Sequence, residues 1–247
     1  MPARLRPPSP LHFDGPIVAG GGVYEPAEIL AQVDSQRLPT GIEPLDDAVG
    51  GIAPGEVWTI CGPAGIGVSS LVERCAAAAA QVGTVLLANG HLGSRALAEH
   101  VIRGPLQARP GSLRIASWLP LPWLGDERWD GACEKADLVI LDTWDEMWRP
   151  PHWGRSVEER IADARWLREL ARRSGTALLL TARLALQDAV TDGARTGGDP
   201  RGRYTEVFDD IADVAVELAA GDTRRSVTVR ARRRGGAAWS GPVALGR

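Results

Sequence analysis

The chain has 247 residues, 44% of them hydrophobic and 24% charged, which is enough apolar material for the core of one α/β domain or two small ones. This composition excludes a chain that is disordered throughout, a collagen and a coiled coil. With a net charge of −3, the chain as a whole is not a polycation that coats nucleic acid. Among its 28 basic residues there is a single lysine, Lys135, and all the others are arginines.

The basic residues are unevenly distributed along the chain. From Thr223 to Arg247 there are seven arginines and no acidic residue, so any binding to nucleic acid has to come from such a local patch. The three cysteines, Cys61, Cys75 and Cys133, lack CxxC spacing, which favours small buried thiols in a reducing compartment over disulfides or a zinc site. No apolar run approaches the roughly 18 residues of a membrane span, and we therefore expect a cytoplasmic protein that makes no membrane contact.

The N-terminal part of the chain predicts two short segments ahead of the main domain. Residues 1–24 are rich in proline and glycine, which resist both helix and sheet, and they predict a flexible tail. Residues 25–37 predict a linker-like helix, because Pro26 stands in a first helical turn and apolar residues follow at helical spacing. The remaining residues, 38–247, predict one α/β domain.

Within this domain, apolar strands alternate with helices. The predicted strands are Glu56–Cys61, Thr84–Ala88, Ala136–Leu141 and Thr176–Thr181, and the predicted helices are Val68–Val82, Ser94–Arg103 and Ser156–Arg173. Strands that are apolar along their whole length and alternate with helices predict a mainly parallel sheet with helices on both faces.

The C-terminal part of the chain has a different pattern. Three strand-like runs follow one another, Ala212–Leu218, Ser226–Arg232 and Ala237–Leu245, and the last two are separated by Gly235-Gly236. A glycine pair between two strands is typical of a tight turn. We therefore predict a β-hairpin that closes one edge of the sheet.

A glycine-rich segment lies between the first predicted strand and the first long helix, where a phosphate-binding P-loop belongs. It consists of Gly62, Pro63, Ala64, Gly65, Ile66, Gly67, Val68, Ser69 and Ser70. The pattern GxxxxGK[ST] is matched at Gly62, Gly67 and Ser69 and fails at Val68. The glycines and the helix N-terminus would direct backbone N–H groups at phosphate, and Ser69 is placed to ligate Mg²⁺.

The lysine that Val68 replaces would reach the β- and γ-phosphates of a nucleotide. Two interpretations of the segment follow: a P-loop that still binds ATP or ADP with Mg²⁺, or a glycine-rich turn of P-loop ancestry that binds no ligand. The second half of a nucleotide site is an acid at the tip of a buried strand, and Asp142 after Leu138–Leu141 supplies it. Asp142 would hold the magnesium through water.

These residues carry a resemblance to a known family. The segments Leu38–Asp46, Gly50-Gly51 and Pro54–Glu56, followed by the P-loop, resemble the opening of the RecA-like ATPase core. The similarity is closest to the C-terminal domain of the DnaB-type replicative helicases, with RadA-like proteins second, and it runs from roughly Leu38 to the C-terminus. Asp142 stands where the Walker B segment of that family ends.

Three further segments extend the resemblance. Thr176–Leu184 is similar to the strand and sensor that follow Walker B, and Phe208–Val214 is similar to the segment after the DNA-binding loop. Arg232-Arg233-Arg234-Gly235-Gly236 resembles the K-x-R-x-G motif, which implies that Arg232 and Arg234 reach the nucleotide of the next subunit in a ring. Arg230-Ala231-Arg232 is an alternative register of this motif. The resemblance thus implies ATP hydrolysis, ring assembly and single-stranded DNA as a partner.

The departures from the family pattern concern the catalytic machinery. Besides the lysine missing at Val68, the segment that carries the family's catalytic glutamate places His91 there, and the sensor glutamine corresponds to Ala182. The family's N-terminal helical domain has no counterpart beyond the tail and the linker-like helix. Losing lysine, glutamate and sensor together points to a pseudo-ATPase, since phosphate positioning, activation of water and communication between subunits all depend on them.

Two other regions are candidate binding surfaces. The polar segment Gln187–Tyr204 is long for a loop in a compact domain, which indicates either a functional loop or disorder. It carries Arg195, Arg201 and Arg203 and corresponds in position to a DNA-binding loop. Seven of the nine tryptophans fall between Trp118 and Trp166, and they form either core or a surface for bases or a protein partner.

Three functions are compatible with these features. The first is a pseudo-ATPase of DnaB-like fold that serves as an assembly or regulatory module in DNA-related processes, with a homo-oligomeric ring or an active RecA-fold relative as partner. The second is an active ring-forming ATPase or helicase in which an arginine from the next subunit replaces the lysine. The third is a protein–protein scaffold that binds no nucleotide.

Overall fold

The computed structural model describes residues 36–89, 112–116, 135–144, 157–184, 211–221 and 226–244, together with single positions at 25, 27, 31, 33, 34 and 98. Residues 27, 31, 33 and 34 are helical, within the segment for which a linker-like helix is expected. The predicted tail at 1–24, most of the predicted helix Ser94–Arg103 and the segment Gln187–Tyr204 lie outside the described residues.

Eight strands and three helices are described in chain order. They are α1 (Glu43–Val49), β1 (Val57–Pro63), α2 (Val68–Ala79), β2 (Val85–Asn89), β3 (Leu113–Ala116), β4 (Leu138–Asp142), α3 (Val157–Ser174), β5 (Ala177–Leu184), β6 (Val214–Ala220), β7 (Ser226–Arg233) and β8 (Ala238–Ala244). Every predicted strand corresponds to one of these strands, with ends that differ by a few residues.

The eight strands form one sheet in the order β3-β2-β4-β5-β1-β6-β7-β8. The first six strands in this order, from β3 across β1 to β6, are parallel to one another. Strand β7 is antiparallel to β6, and β8 is antiparallel to β7. The fold class is therefore α/β with a mainly parallel sheet, and the predicted C-terminal hairpin is confirmed as β7 and β8 at one edge. Because β1, β4 and β5 are parallel, their carboxyl ends meet at a single edge of the sheet.

One face of the sheet packs against α1 and α2. Trp58 and Ile60 of β1 point to this face and bury almost all of their surface against Leu45 of α1 and Leu71 of α2. The face continues across the hairpin through Val229, which is also fully buried. A side chain of this size stabilises the fold by about 1.5–3 kcal/mol when it leaves water, so this layer supplies a large share of the core.

The other face packs against α3. Val57, Leu141 and Leu178 alternate with the residues of the first face and contact Leu167 of α3. Trp144 is buried in the same layer, so this member of the tryptophan-rich region is part of the core. Helices thus cover both faces of the parallel strands, as the alternation of elements predicts. Within the described residues, no helix combines the length and the apolar character that crossing a membrane requires.

Two elements have no counterpart in the prediction. Helix α1 has Pro44 in its first turn and ends at Gly50, whose positive φ of 83° lets its N–H donate to the Asp46 carbonyl at 2.7 Å. It is only seven residues long, and two of its side chains are buried, so its apolar periodicity is weak in the sequence. Strand β3 is four residues long and contains Arg114, and it pairs only with β2 among the described strands.

Helix α2 ends three residues earlier than expected. The predicted helix extends to Val82, but the chain turns after Ala79, and Val82 is 62% exposed. The turn is closed by the Gly83 N–H, which donates to the Ala79 carbonyl at 2.8 Å. A Cβ atom at Gly83 would lie 2.9 Å from Asp137 Oδ2 and 3.0 Å from Leu38 Cδ2, so a larger residue there would force these side chains to shift.

Candidate nucleotide site

The P-loop lies where the sequence predicts it, between β1 and α2. Gly65 and Gly67 have positive φ angles of 78° and 111°, and Gly67 is the N-cap of α2. The first N–H groups of a helix have no partner inside the helix and point out of its N-terminus. The backbone N–H groups of Val68, Ser69 and Ser70 therefore fit a phosphate group.

Packing within the loop also constrains its shape. A Cβ atom at Gly62 would lie 2.9 Å from Ile66 Cγ2 and 3.1 Å from Leu218 Cβ. The Ile66 N–H donates to the Pro63 carbonyl at 3.2 Å, and the Ile66 side chain packs against the core. Gly62 is consequently required by contacts inside the protein, whereas a Cβ atom at Gly65 would meet nothing within 4 Å.

Val68 replaces the lysine of a P-loop and contributes to the core. It is 6% exposed and belongs to the layer formed by α1, α2 and one face of the sheet. Its side chain is apolar and carries no group that could reach a phosphate. The loop thus retains the backbone donors of a phosphate site without the cation that would neutralise the β- and γ-phosphates.

Asp142 is the last residue of β4 and lies at the same edge of the sheet as the P-loop. The register places Leu141 beside Leu180 and Thr181 beside Ile60, so one strand separates Asp142 from β1. Two strand spacings correspond to about 10 Å. Ser69, which is half-buried in the first turn of α2, and Asp142 therefore face the same end of the sheet.

The carboxylate of Asp142 is buried and accepts hydrogen bonds from two neutral side chains. Asp142 is 1% exposed; its Oδ2 accepts a hydrogen bond from Asn89 Nδ2 at 2.5 Å, and its Oδ1 accepts one from Thr181 Oγ1 at 2.8 Å. The Thr143 N–H donates to Thr181 Oγ1 at 2.6 Å. These donors fit a carboxylate that is satisfied by the protein and do not fit a Mg²⁺ site, whose ligands are oxygens and water. Within the described residues, no three His, Cys, Asp or Glu side chains form a potential metal site.

The C-terminal arginines have different roles in the structure. Arg233 turns towards the protein: its Nε donates to the Val49 carbonyl at 2.7 Å, its Nη2 donates to the Gly51 carbonyl at 3.0 Å, and its Nη1 forms an ion pair with Glu56. Glu56 also accepts hydrogen bonds from the Ala53 N–H and from Trp58 Nε1, both at 3.1 Å. Arg233 therefore holds the hairpin to the turn before β1.

Arg232 and Arg234 are exposed and lie far from the P-loop of their own chain. In the strand register, Arg233 of β7 lies opposite Val214 of β6, and Val214 lies beside Trp58 near the start of β1. The P-loop is at the other end of β1. Five residues along β1 and two strands across the sheet amount to roughly 20 Å. Within one chain, the structure does not bring these two arginines to the predicted nucleotide site.

Other predicted site residues divide into two groups. Ala182 is fully buried in β5 beside Cys61, so the position assigned to the sensor carries no polar group. His91, Arg195, Arg201 and Arg203 lie outside the described residues.

The sequence does not predict the roles of Asn89, Thr181, Glu56 and Arg233. Asn89 has a visible signal, since it is a polar residue that directly follows the apolar run TVLLA.

The predicted buried thiols include Cys75 in α2. Burial, with a smaller effect from Asp46, raises the pKa of the Cys75 thiol to about 12. The thiol is therefore protonated at neutral pH and unreactive. Cys61 is half-buried, and Cys133 lies outside the described residues.

Comparisons with known proteins identify the fold. No protein-family model matches the chain, and no curated protein matches it. Among solved structures, 696 chains match, so the fold is common and a match by itself assigns no activity. One of them is the ATPase domain of a DnaB-like helicase, with a TM-score of 0.66 and 14% identity over 88% of this chain and 93% of that chain.

The match covers most of both chains, which is consistent with the resemblance that the P-loop, Asp142 and the C-terminal hairpin carry. At 14% identity it concerns the fold and leaves the chemistry of the site to the residues themselves. The chain has the RecA-like α/β fold of a DnaB-type ATPase domain.

Proposed function

We propose that this protein is a DnaB-like RecA-fold pseudo-ATPase that acts as an assembly or regulatory module in DNA-related processes. The observation that carries the proposal is Val68, which stands at the lysine position of the P-loop and is buried in the core. Without a cation at this position, the P-loop itself has no side chain that stabilises the charge developing on the transferred phosphoryl group.

A second observation supports the loss of hydrolysis. The two oxygens of Asp142 accept hydrogen bonds from Asn89 and Thr181, so the carboxylate is already satisfied by neutral donors. The sequence adds His91 in place of the catalytic glutamate and Ala182 in place of the sensor glutamine. Hydrolysis requires these elements to act together, since each of them contributes to the same transition state.

The test is a measurement of ATP turnover with and without single-stranded DNA. We expect no turnover above that of an Asp142→Ala variant purified in the same way, which serves as the background control. Turnover near ~1 s⁻¹, the low end of common enzyme rates, that disappears in this variant would contradict the proposal.

The backbone N–H groups of the loop nevertheless fit a phosphate group. We therefore propose that the P-loop binds ATP or ADP. A ligand that binds only the folded protein raises its apparent stability by RT ln(1 + [L]/Kd). Thermal unfolding with increasing ADP should therefore raise the melting temperature, and a Gly67→Val variant, which cannot keep the positive φ of the loop, should lose the effect. A melting temperature that does not respond to ATP or ADP would favour a scaffold that binds no nucleotide.

One observation favours a second candidate, an active ATPase that works only as a ring. Arg232 and Arg234 are exposed at the end of the hairpin, roughly 20 Å from the P-loop of their own chain. In a ring they would approach the nucleotide of the next subunit and supply the missing cation. Light scattering in the presence of ATP and Mg²⁺ tests this candidate, because a monomer excludes it. The partner of the pseudo-ATPase is accordingly a second copy or an active RecA-fold protein in the cytoplasm.

A further inference from the structure

The polar cluster around Asp142 fixes the direction of each of its hydrogen bonds. The Thr181 hydroxyl accepts the Thr143 N–H at 2.6 Å, so its own proton is directed to Asp142 Oδ1 at 2.8 Å. The amide of Asn89 must present its NH₂ group to Oδ2, since its oxygen at 2.5 Å from a carboxylate oxygen would be repelled. Both carboxylate oxygens therefore face N–H or O–H donors.

The backbone supports the same arrangement. Thr143 follows Asp142 with a positive φ of 60°, which is unusual for a residue other than glycine. Its hydroxyl donates to the Asp142 carbonyl at 2.7 Å, and its N–H is bound to Thr181. The turn after β4 is thus held in the conformation that completes the cluster.

This arrangement is unfavourable for a cation beside Asp142. Asn89 is 4% exposed, Thr181 is fully buried and Asp142 is 1% exposed, so a hydrated metal ion finds almost no surface of the carboxylate to contact. The N–H and O–H dipoles present their positive ends to the carboxylate and supply the compensation that a cation would otherwise provide. Displacing the Asn89 amide would break its buried hydrogen bond to Asp142, at a cost of about 1–3 kcal/mol.

We propose that the Asn89 amide takes the place of the divalent cation at Asp142, so that this chain binds no Mg²⁺ at this carboxylate and any nucleotide at the P-loop binds without it. This inference rests on the proposed function only in locating the nucleotide at the P-loop. It concerns metal binding rather than ATP turnover, so each of the two proposals can fail while the other holds.

The experiment compares three proteins by thermal unfolding with Mn²⁺ as the probe, alone and with ADP. Asn89→Asp places two carboxylates side by side and should create a site that Mn²⁺ stabilises. The double exchange Asn89→Asp with Asp142→Asn is the matched control, because it keeps one acid and one amide in the cluster. We expect the melting temperature of Asn89→Asp to rise by roughly 5–10 °C when Mn²⁺ is about 100-fold above its Kd. The wild-type protein and the double exchange should not respond.

A rise in the melting temperature of the wild-type protein with Mn²⁺ that an Asp142→Asn variant abolishes would overturn the proposal. So would an Asn89→Asp variant that folds but does not respond to Mn²⁺, because the amide would then not be what excludes the cation. If Asn89→Asp does not fold, calorimetric titration of wild-type protein with ADP decides. We expect the affinities for ADP in Mg²⁺ and in EDTA to agree within about twofold. Binding of ADP that is about tenfold tighter in Mg²⁺ contradicts the proposal, and so does a protein that binds no ADP but binds Mn²⁺ at Asp142.

Discussion

A valine at position 68 changes what the first turn of α2 contributes to the protein. In a P-loop that binds nucleotide, the side chain at this position contacts the ligand. The Val68 side chain instead lies in the hydrophobic core and stabilises the packing of α2 on the sheet. The loop presents backbone N–H groups that fit a phosphate, whereas the side chains of Val68 and Asp142 contact other parts of the protein. Asp142 with Asn89, and Val68 with the core, are two cases of the same change.

Restoring the lysine should therefore not restore activity. We expect Val68→Lys to lower the free energy of unfolding by about 1–2 kcal/mol, because the buried valine is lost and the longer side chain extends its charge to solvent. ATP turnover should stay at background, since Asp142 remains bound to Asn89 and Thr181. Urea unfolding and a turnover assay measure the two effects. Ala64→Lys, at an exposed position of the same loop, is the control and should change stability by no more than about 0.5 kcal/mol.

Asp46 in α1 gives a prediction for pH dependence. Its two carboxylate oxygens accept the Thr40 N–H at 3.0 and 3.1 Å, but burial outweighs these hydrogen bonds and raises the pKa of Asp46 above its ordinary value of 3.8. A carboxyl with a raised pKa binds its proton more tightly in the folded state than in the unfolded state. The contribution of Asp46 to stability is therefore lost as the pH rises from the unfolded pKa through the folded pKa.

The variant Asp46→Asn removes this titration. We expect the free energy of unfolding of Asp46→Asn, measured relative to that of wild type, to increase as the pH rises through the acidic range and to level off near neutrality. Urea unfolding at a series of pH values gives this difference directly. A difference that stays constant, or that changes in the opposite direction, would show that burial of Asp46 does not control its protonation.

The C-terminal hairpin is held to the sheet by more than its strand pairing. Arg233 of β7 donates to the Val49 and Gly51 carbonyls at the end of α1 and forms an ion pair with Glu56, with side-chain exposures of 19% and 16% for the two charged residues. This contact adds to the pairing of β7 with β6 and joins the hairpin to the turn before β1. Arg233 is thereby mostly buried, whereas its neighbours Arg232 and Arg234 are exposed.

Removing this contact should destabilise the domain. We expect Arg233→Met to lower the free energy of unfolding by about 2–3 kcal/mol, since Glu56 and two carbonyls lose a charged donor in a mostly buried environment. Arg230→Met, at an exposed position of the same strand, should cost less than about 0.5 kcal/mol. Chemical denaturation of both variants tests the expectation, and equal effects at the two positions would contradict it.

Local sequence patterns predict most of the helices and strands. They do not predict the contacts between elements that are distant in the chain. The apolar runs of β1, β2, β4 and β5 and the stripe of α3 are long enough to identify from composition and spacing. Helix α1 and strand β3 are short and depend on tertiary packing, so their patterns are weak. The Glu56–Arg233 pair joins residues 177 positions apart, and no local signal connects them. The sequence locates the glycine-rich loop and Asp142 because glycine spacing and a strand-end acid are local features, whereas no local signal indicates the hydrogen bond of Thr181 to Asp142.

The distribution of charge characterises the molecule as a whole. The last 25 residues carry seven arginines and no acid, whereas the rest of the chain has 21 basic and 31 acidic residues. Arg230 and Arg232 project from the same face of β7 and are exposed. Their Cα atoms are about 7 Å apart, as expected for residues two positions apart in a strand. This polarity favours an anionic partner at the hairpin face, and a single strand of DNA is the partner that the proposed function suggests.

Binding to single-stranded DNA should accordingly depend on salt. Each phosphate contact adds about 0.7 to the slope of log K against log salt concentration, so four contacts would weaken binding roughly 50-fold between 50 and 200 mM salt. The double variant Arg230→Gln with Arg232→Gln should reduce this slope by about 1.4. Arg172→Gln, on the exposed side of α3, is the control and should leave the slope unchanged. Fluorescence anisotropy with a labelled oligonucleotide measures both, and an affinity that is insensitive to salt would exclude phosphate contacts by these arginines.

The long sequence separation between Glu56 and Arg233 has a consequence for synthesis of the protein. The ribosome must add 177 residues after Glu56 before its partner exists, which takes roughly 10–35 s at 5–20 residues per second. Throughout that interval the Val49 and Gly51 carbonyls and the Glu56 carboxylate have water in place of the guanidinium. The central strands can pair as they emerge, but the hairpin can be joined to the turn before β1 by this contact only after Arg233 has been added. A nascent chain therefore lacks this contact for as long as the intervening residues are being added.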